Sequence, residues 1–262
     1  MPPTYRIGAV QFSNARPLVA TLAGDPRCDV TYDRPSRLSA RLAHGEVDVA
    51  LVPVADFLRG VGQAAVRGVS IASRGPAGSV LVLSKRPLSA ISSLALDSGS
   101  RTSAALARIV LAQRYDCRPE TVEAAPDLTQ MLAIADAALL IGDAALKAMH
   151  PDVVAAIDLG QEWHEWQGVP FVYAVWAFAK IPGGEQLAEL LRHARTEGVA
   201  RLHDIARTEA QRIGLQPATI WRYYRLNMDY DLSPAHLEGL RRFGHLCARH
   251  GLIPEPRDPV LL

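Results

Sequence analysis

A chain of 262 residues with 49% hydrophobic residues can bury a substantial core, which excludes a disordered protein. Its net charge of +1 gives no general attraction to nucleic acid or to an anionic membrane surface. Cys28, Cys117 and Cys247 lie far apart and form no CxxC pair, so no disulfide framework or cysteine-based metal site is indicated.

The N-terminal third predicts an alternation of strands and helices. Tyr5 to Val10 is a short run of strand formers, and Asn14 to Ala23 reads as a helix with Pro17 near its start, where a missing N–H costs little. Cys28 to Tyr32 reads as a strand, Pro35 to Ala43 as a helix and Val47 to Val52 as a strand buried on both faces. Ala55 to Leu58 is helical, and Val69 to Ser73 and Ser79 to Ser84 are strands joined by the turn residues 74–78.

The rhythm then restarts. Leu94 to Asp97 reads as a strand, and Arg101 to Arg114 carries apolar residues at helical spacing. Thr121 to Ala124 is a strand, Asp127 to Ala133 a helix with Asp127 as N-cap, Ala137 to Ile141 a buried strand and Asp143 to Met149 a helix. Phe171 to Phe178 is a long strand, and from Gln186 onward the pattern is mostly helical. Two series of this kind predict an α/β protein of two lobes with a ligand cleft between them. The expected division is 1–84 with 180–262 for the first lobe and 85–179 for the second, with crossings near Ser84 and Ala179.

Arg6, Gln11, Asn14 and Arg16 interrupt any signal-peptide core, and the longest apolar run, Val169 to Ala179, is about half the ~20 residues of a membrane helix. The expectation is a cytoplasmic protein that neither crosses nor binds a membrane. Oligomeric state cannot be read from the sequence.

In open α/β sheets ligands gather at the carboxyl ends of the strands. Those ends carry Ser13 and Asn14, Pro53 and Val54, Ser79, the segment Asp97 to Ser103, and Gly142 with Asp143. Most are small or hydroxylic and precede a helix, whose free N–H groups suit carboxylates. Ser100, Thr102 and Ser103 read either as ordinary N-caps or as donors to an anion. Asn14 reads as a cap or as an amide that holds a substrate hydroxyl or carboxylate. Arg16, Arg74 and Arg101 are candidate carboxylate partners. Asp97 and Asp143 are the carboxylates best placed as general bases, and each could equally cap the helix after it.

No Walker loop or GxGxxG is present, which disfavours nucleotides. Trp163-His164-Glu165-Trp166 lacks metal-ligand spacing and reads as an amphipathic stretch with both tryptophans packed. Glu209 to Arg225 has a helix-turn-helix look and a local excess of arginine, but Pro217 and Tyr223-Tyr224 suit packing helices better than a nucleic-acid reader.

The segments RIGAVQFSNARPL (6–18), DVALVPVADFL (48–58), GSVLVLSKRPL (78–88), LDSGSRTSAALARIVL (96–111), ADAALLIGDAAL (135–146) and GVPFVYAVWA (168–177) follow one another in order. Together they resemble the MqnA/MqnD menaquinone biosynthesis family, and most of all its chorismate dehydratase branch. The resemblance implies a fold similar to type II periplasmic binding proteins, and conversion of chorismate to 3-[(1-carboxyvinyl)oxy]benzoate and water without metal or organic cofactor, at the opening of the futalosine route. It further implies a histidine just after the strand matching Ala137 to Ile141 in the sister branch, where this chain has Gly142.

On that basis Asn14 is expected to hydrogen-bond the leaving hydroxyl or the enolpyruvyl arm. Ser100, Arg101, Thr102 and Ser103 are expected at one carboxylate. Ser13, Pro53, Val54, Ser79 and Gly142 are expected to line the cleft. The proton acceptor is either Asp143 or the substrate's own enolpyruvyl group. The competing expectation is a non-catalytic protein that binds or senses a small carboxylate.

Overall fold

A computed structural model describes residues 4–181 and 183–262. The chain builds two five-stranded mixed sheets in succession. It begins with β1 (Tyr5–Val10), a 3₁₀ turn (Ser13–Ala15), α1 (Arg16–Val19), β2 (Cys28–Asp33), α2 (Pro35–Ala43), β3 (Val49–Pro53), α3 (Val54–Leu58) and β4 (Ala64–Ser73). The chain then crosses over to β5 (Val80–Ser84), β6 (Ser93–Asp97), α4 (Thr102–Arg114), β7 (Glu120–Ala124), α5 (Leu128–Ile134), β8 (Ala137–Ile141), α6 (Gly142–Leu146), β9 (Ala155–Asp158) and α7 (Leu159–Gln167). It returns through β10 (Phe171–Phe178) to α8 (Gly184–Ala200), α9 (Leu202–Ile213), α10 (Pro217–Arg222), a π-helical turn (Tyr223–Asn227) and α11 (Pro234–Arg249).

The strand orders are β2-β1-β3-β10-β4 and β7-β6-β8-β5-β9. In the first sheet β1 runs parallel to β2 and β3, and β10 is antiparallel to β3 and β4. In the second, β6 is parallel to β7 and β8, and β5 is antiparallel to β8 and β9. Each sheet therefore takes its antiparallel strand from the segment that has just arrived from the other lobe.

That exchange corrects the expected lobe boundaries. β5 belongs to the second sheet and β10 to the first, so the crossings are residues 74–79 and 168–170, one strand earlier than the sites near Ser84 and Ala179. An apolar run looks alike whichever sheet buries it, so the sequence could not assign either strand. The helical C-terminal region does return to the first lobe: α8 packs on α1 and β4, and α11 on β10.

The central strands explain themselves. Val49 to Val52 and Ala137 to Leu140 are buried on both faces, as inner strands under helices on both sides require. Gly198 lets α8 close on α1, because a Cβ there would stand 1.6 Å from the Pro17 carbonyl oxygen. The expected helix over 14–23 is broken into the 3₁₀ turn Ser13–Ala15, the short α1 and a second 3₁₀ turn Leu22–Gly24. Asp127 caps α5 as expected, accepting the Gln130 N–H. The sequence reading missed β9 and α7. Trp163 on α7 is fully buried and meets Phe171 and Phe243 edge-on, and Trp166 is half-buried beside it. Among the described residues no helix is long and apolar enough to cross a membrane.

Candidate active site

The strand tips of both sheets converge on a cleft of about 590 Å³. Asn14, Pro53, Ser79, Ser100, Arg101, Thr102, Ser103 and Gly142 all line it, as expected. Phe12, Ile71, Tyr173 and Met228 complete an apolar wall that the sequence reading did not find. Phe12 stands at the tip of β1 and was within reach of the strand-end rule. Tyr173 and Met228 carried no such signal, since Tyr173 lies within a strand and Met228 far along the chain from every other wall residue.

The second-lobe wall is the N-terminus of α4. Its N-cap position makes no side-chain hydrogen bond, so the first-turn N–H groups are free of a capping side chain and present positive potential. Ser100 Oγ is buried there without a protein partner, an unsatisfied state that favours a ligand group. The exposed Arg101 forms no ion pair among the described residues. Thr102 is differently employed: its Oγ1 accepts the Ala55 N–H at 3.1 Å, a contact from the second lobe to the first. Asp97 Oδ1 accepts the Gly99 N–H at 2.9 Å and shapes this turn, and burial pushes its carboxyl above the ordinary value.

On the first-lobe side, Asn14 lies in the middle of the 3₁₀ turn after β1. Its Oδ1 is buried with no protein hydrogen-bond partner. The Tyr223 phenol lies beside it but shares a hydrogen bond of 2.8 Å with Ser79 Oγ. Burial pushes the Tyr223 hydroxyl well above its ordinary pKa, so it remains protonated. Gly142 adopts φ +59°, and a Cβ there would meet the Phe12 ring at 2.9 Å. Position 142 has no room for a side chain while Phe12 holds this place.

Three expected residues stand outside the cleft wall. Val54 is buried in the first turn of α3. Ser13 is fully buried behind Asn14. Asp143 has both oxygens engaged, Oδ1 by the Ser13 N–H at 2.9 Å and Oδ2 by Arg212 at 2.7 Å. With both oxygens occupied by its neighbours, this carboxylate is not presented to a ligand. The arginines also separate. Arg16 pairs with Glu209 at 3.2 Å and lies over the Tyr32 ring, and Arg74 pairs with Asp229 at 2.6 Å. Of the three candidates only Arg101 is on the cleft wall. The segment with the helix-turn-helix look packs inward through Ile220, Tyr223 and Tyr224.

Comparison with known proteins bears on the family and the fold. Residues 5–249 match the sequence profile of a family described as menaquinone biosynthesis. A chorismate dehydratase of Thermus thermophilus is 31% identical, the match covering 91% of this chain and 93% of that protein. Among solved structures, a protein of Archaeoglobus fulgidus superposes with a TM-score of 0.74 at 16% identity, covering 95% of this chain and 98% of that one. The alkanesulfonate-binding protein of Xanthomonas axonopodis pv. citri gives 0.70 at 17% identity, covering 97% and 95%. The periplasmic aliphatic sulphonate binding protein of Escherichia coli gives 0.66 at 14%, covering 100% and 94%. These likenesses show the two-lobed fold of periplasmic binding proteins, and the profile match over nearly the whole length shows that the chain belongs to the menaquinone biosynthesis family.

Proposed function

We propose that this protein is a chorismate dehydratase, a cytoplasmic hydro-lyase that converts chorismate to 3-[(1-carboxyvinyl)oxy]benzoate and water at the opening of the futalosine route to menaquinone. The observation that carries the reading is the 31% identity to the Thermus thermophilus chorismate dehydratase over 91% of this chain. The cleft supports it, with an apolar wall for a ring and hydroxyl, amide and guanidinium groups at its edges.

The reaction is a 1,2-elimination. The C3 proton passes to an acceptor, and the C3–H electron pair becomes a ring double bond as the C4–O bond breaks. The acceptor then returns that proton to the departing hydroxide, which leaves as water. Aromatisation drives the step, so the protein mainly orients the substrate and stabilises charge. The uncapped start of α4, with Ser100, Ser103 and Arg101, holds one carboxylate. The Asn14 amide holds the C4 hydroxyl and donates to its oxygen as the bond breaks. The hydrogen bond of 2.8 Å between Tyr223 and Ser79 anchors the Ser79 hydroxyl at the cleft wall. With both Asp143 oxygens engaged, the proton acceptor in this reading is the enolpyruvyl carboxylate of the substrate itself.

Gly142 favours this branch over its sister. In the family resemblance the sister enzymes carry a histidine at this point. Here φ +59° and the Phe12 ring, 2.9 Å from where a Cβ would stand, disfavour a side chain while Phe12 keeps its place.

The test is incubation of the pure protein with chorismate, following loss of the diene absorbance and appearance of the substituted benzoate. Stoichiometric binding without turnover would replace the proposal by a carboxylate-binding role. Neither binding nor turnover would end both.

A further inference from the structure

Behind the cleft lies a charged cluster that the chemistry above does not use. Asp143, on α6 of the second lobe, accepts the Ser13 N–H at 2.9 Å and the Arg212 guanidinium at 2.7 Å. Arg212, on α9, also donates to Ser13 Oγ at 3.0 Å and to Glu209 at 2.7 Å. The other Glu209 oxygen faces Arg16 at 3.2 Å, and Tyr224 donates its hydroxyl to the Ser13 carbonyl at 3.0 Å. The N–H, hydroxyl and carbonyl of Ser13 are all fixed, and the next residue is Asn14.

We infer that Asp143 and Arg212 are a positioning pair for the Asn14 amide: they reach across the lobes, clamp the backbone at Ser13 and so aim Asn14 into the cleft. The inference rests on the dehydratase reading of that cleft. An ion pair whose arginine is 38% exposed is weak evidence for stability, because solvent screens its attraction. A clamp on the residue beside a catalytic amide has a different use, since a displacement of about 1 Å at a reacting group can cost on the order of 100-fold in rate. A two-sided clamp also explains why Asp143, although next to the cleft residue Gly142, faces away from the ligand.

The experiment compares Asp143→Asn, Arg212→Gln and the double variant in chorismate turnover. Each single change is expected to lower kcat about tenfold with KM held within about twofold, and the double to be no worse than the poorer single, because the two residues act as one unit. Arg212→Lys, which keeps the charge without the planar fork, is expected to recover part of the loss. The pH profile is expected to keep its shape in all variants, because neither group transfers a proton. Near-normal kcat in either single variant, or multiplicative losses in the double, would overturn the pairing. Loss of one limb of the pH profile in Asp143→Asn alone would make Asp143 a proton acceptor and overturn the positioning role. If the unmodified protein leaves chorismate intact, the dehydratase reading fails, and amide hydrogen exchange over residues 12–15 then decides the clamp. Faster exchange in Arg212→Gln supports it, and unchanged exchange removes it.

Discussion

Asn14→Ala separates a functional amide from a structural one. Asn14 Oδ1 is buried without a protein partner, so the free protein bears a desolvation cost that a ligand hydroxyl would relieve. Such an orphaned group costs about 1–3 kcal/mol when fully buried. Asn14 is only half-buried, so its removal should return at most about 1 kcal/mol. In a protein of this size that is a rise in Tm of roughly 0–4 °C. The transition state loses one aligned donor, which typically lowers kcat by about 100-fold, or ~2.7 kcal/mol. The expected signature is therefore opposite in sign in two assays: equal or higher Tm in a thermal melt, and a large loss in the diene-absorbance assay. A fall in Tm of several degrees would show that Asn14 supports the 3₁₀ turn itself. Turnover within about threefold of the unmodified protein would remove the amide from the chemistry.

Three further outcomes follow from the same geometry. Arg101→Gln removes the cleft-wall cation that has no ion-pair partner among the described residues; it should raise KM for chorismate by about tenfold, the value of one exposed charge-assisted contact, and an unchanged KM would place the carboxylate elsewhere. Gly142→Ala introduces a Cβ 2.9 Å from the Phe12 ring at φ +59°; it should destabilise by ~1–2 kcal/mol and reduce turnover, and a variant melting like the parent with full activity would mean that Phe12 yields freely. Asp229 is opposed by burial, but hydrogen bonds from His236, the Asp231 N–H and Arg74 outweigh that and hold its carboxyl well below the ordinary range. Its contribution is thus present at neutral pH and is lost as pH falls below the unfolded value of about 4 toward the folded one. Asp229→Asn should cost ~2 kcal/mol at pH 7 and progressively less in acid; a stability difference independent of pH would contradict that assignment.

The parts of the site that were legible in the sequence share one cause. Asn14, Pro53, Ser79, Gly142 and the 100–103 segment all follow a strand or precede one at a sheet end, and a rule about parallel sheets locates ends without knowing which sheets they belong to. What the sequence hid was orientation. Ser13 and Asn14 are adjacent, yet one faces the core and the other the cleft, because a 3₁₀ turn replaces the α-helix expected there. Asp143 looked like a base because it is acidic and next to a cleft residue. Its partner Arg212 lies 69 positions away, on a helix whose docking no local pattern announces. The lobe crossings were misplaced for a related reason: β5 and β10 are antiparallel strands inserted from the other lobe, and their composition matches that of their neighbours.

The strand exchange also bears on how a binding fold can become catalytic. The crossing at residues 74–79 is held by side chains. Asp158 caps α7 and accepts the Ala77 and Gly78 N–H groups at 2.9 and 2.6 Å, and Asn227 donates to the Pro76 carbonyl at 2.9 Å. The lobes are joined again across the cleft, by Thr102 to Ala55, by Asp143 to Ser13 and by Lys147 to the Ile213 carbonyl at 3.2 Å. A receptor needs lobes that release their solute, and contacts that favour closure cost it that freedom. An enzyme gains rate only from interactions stronger in the transition state than in the ground state, which requires groups fixed before the reaction starts. In the reading proposed above, the Asn14 amide and the uncapped α4 N-terminus are groups of this kind, held by inter-lobe contacts that lie outside the cleft wall or, at Thr102, at its edge. On this argument, loosening a closure contact remote from the ligand should weaken turnover more than binding, the reverse of what a solute receptor would show.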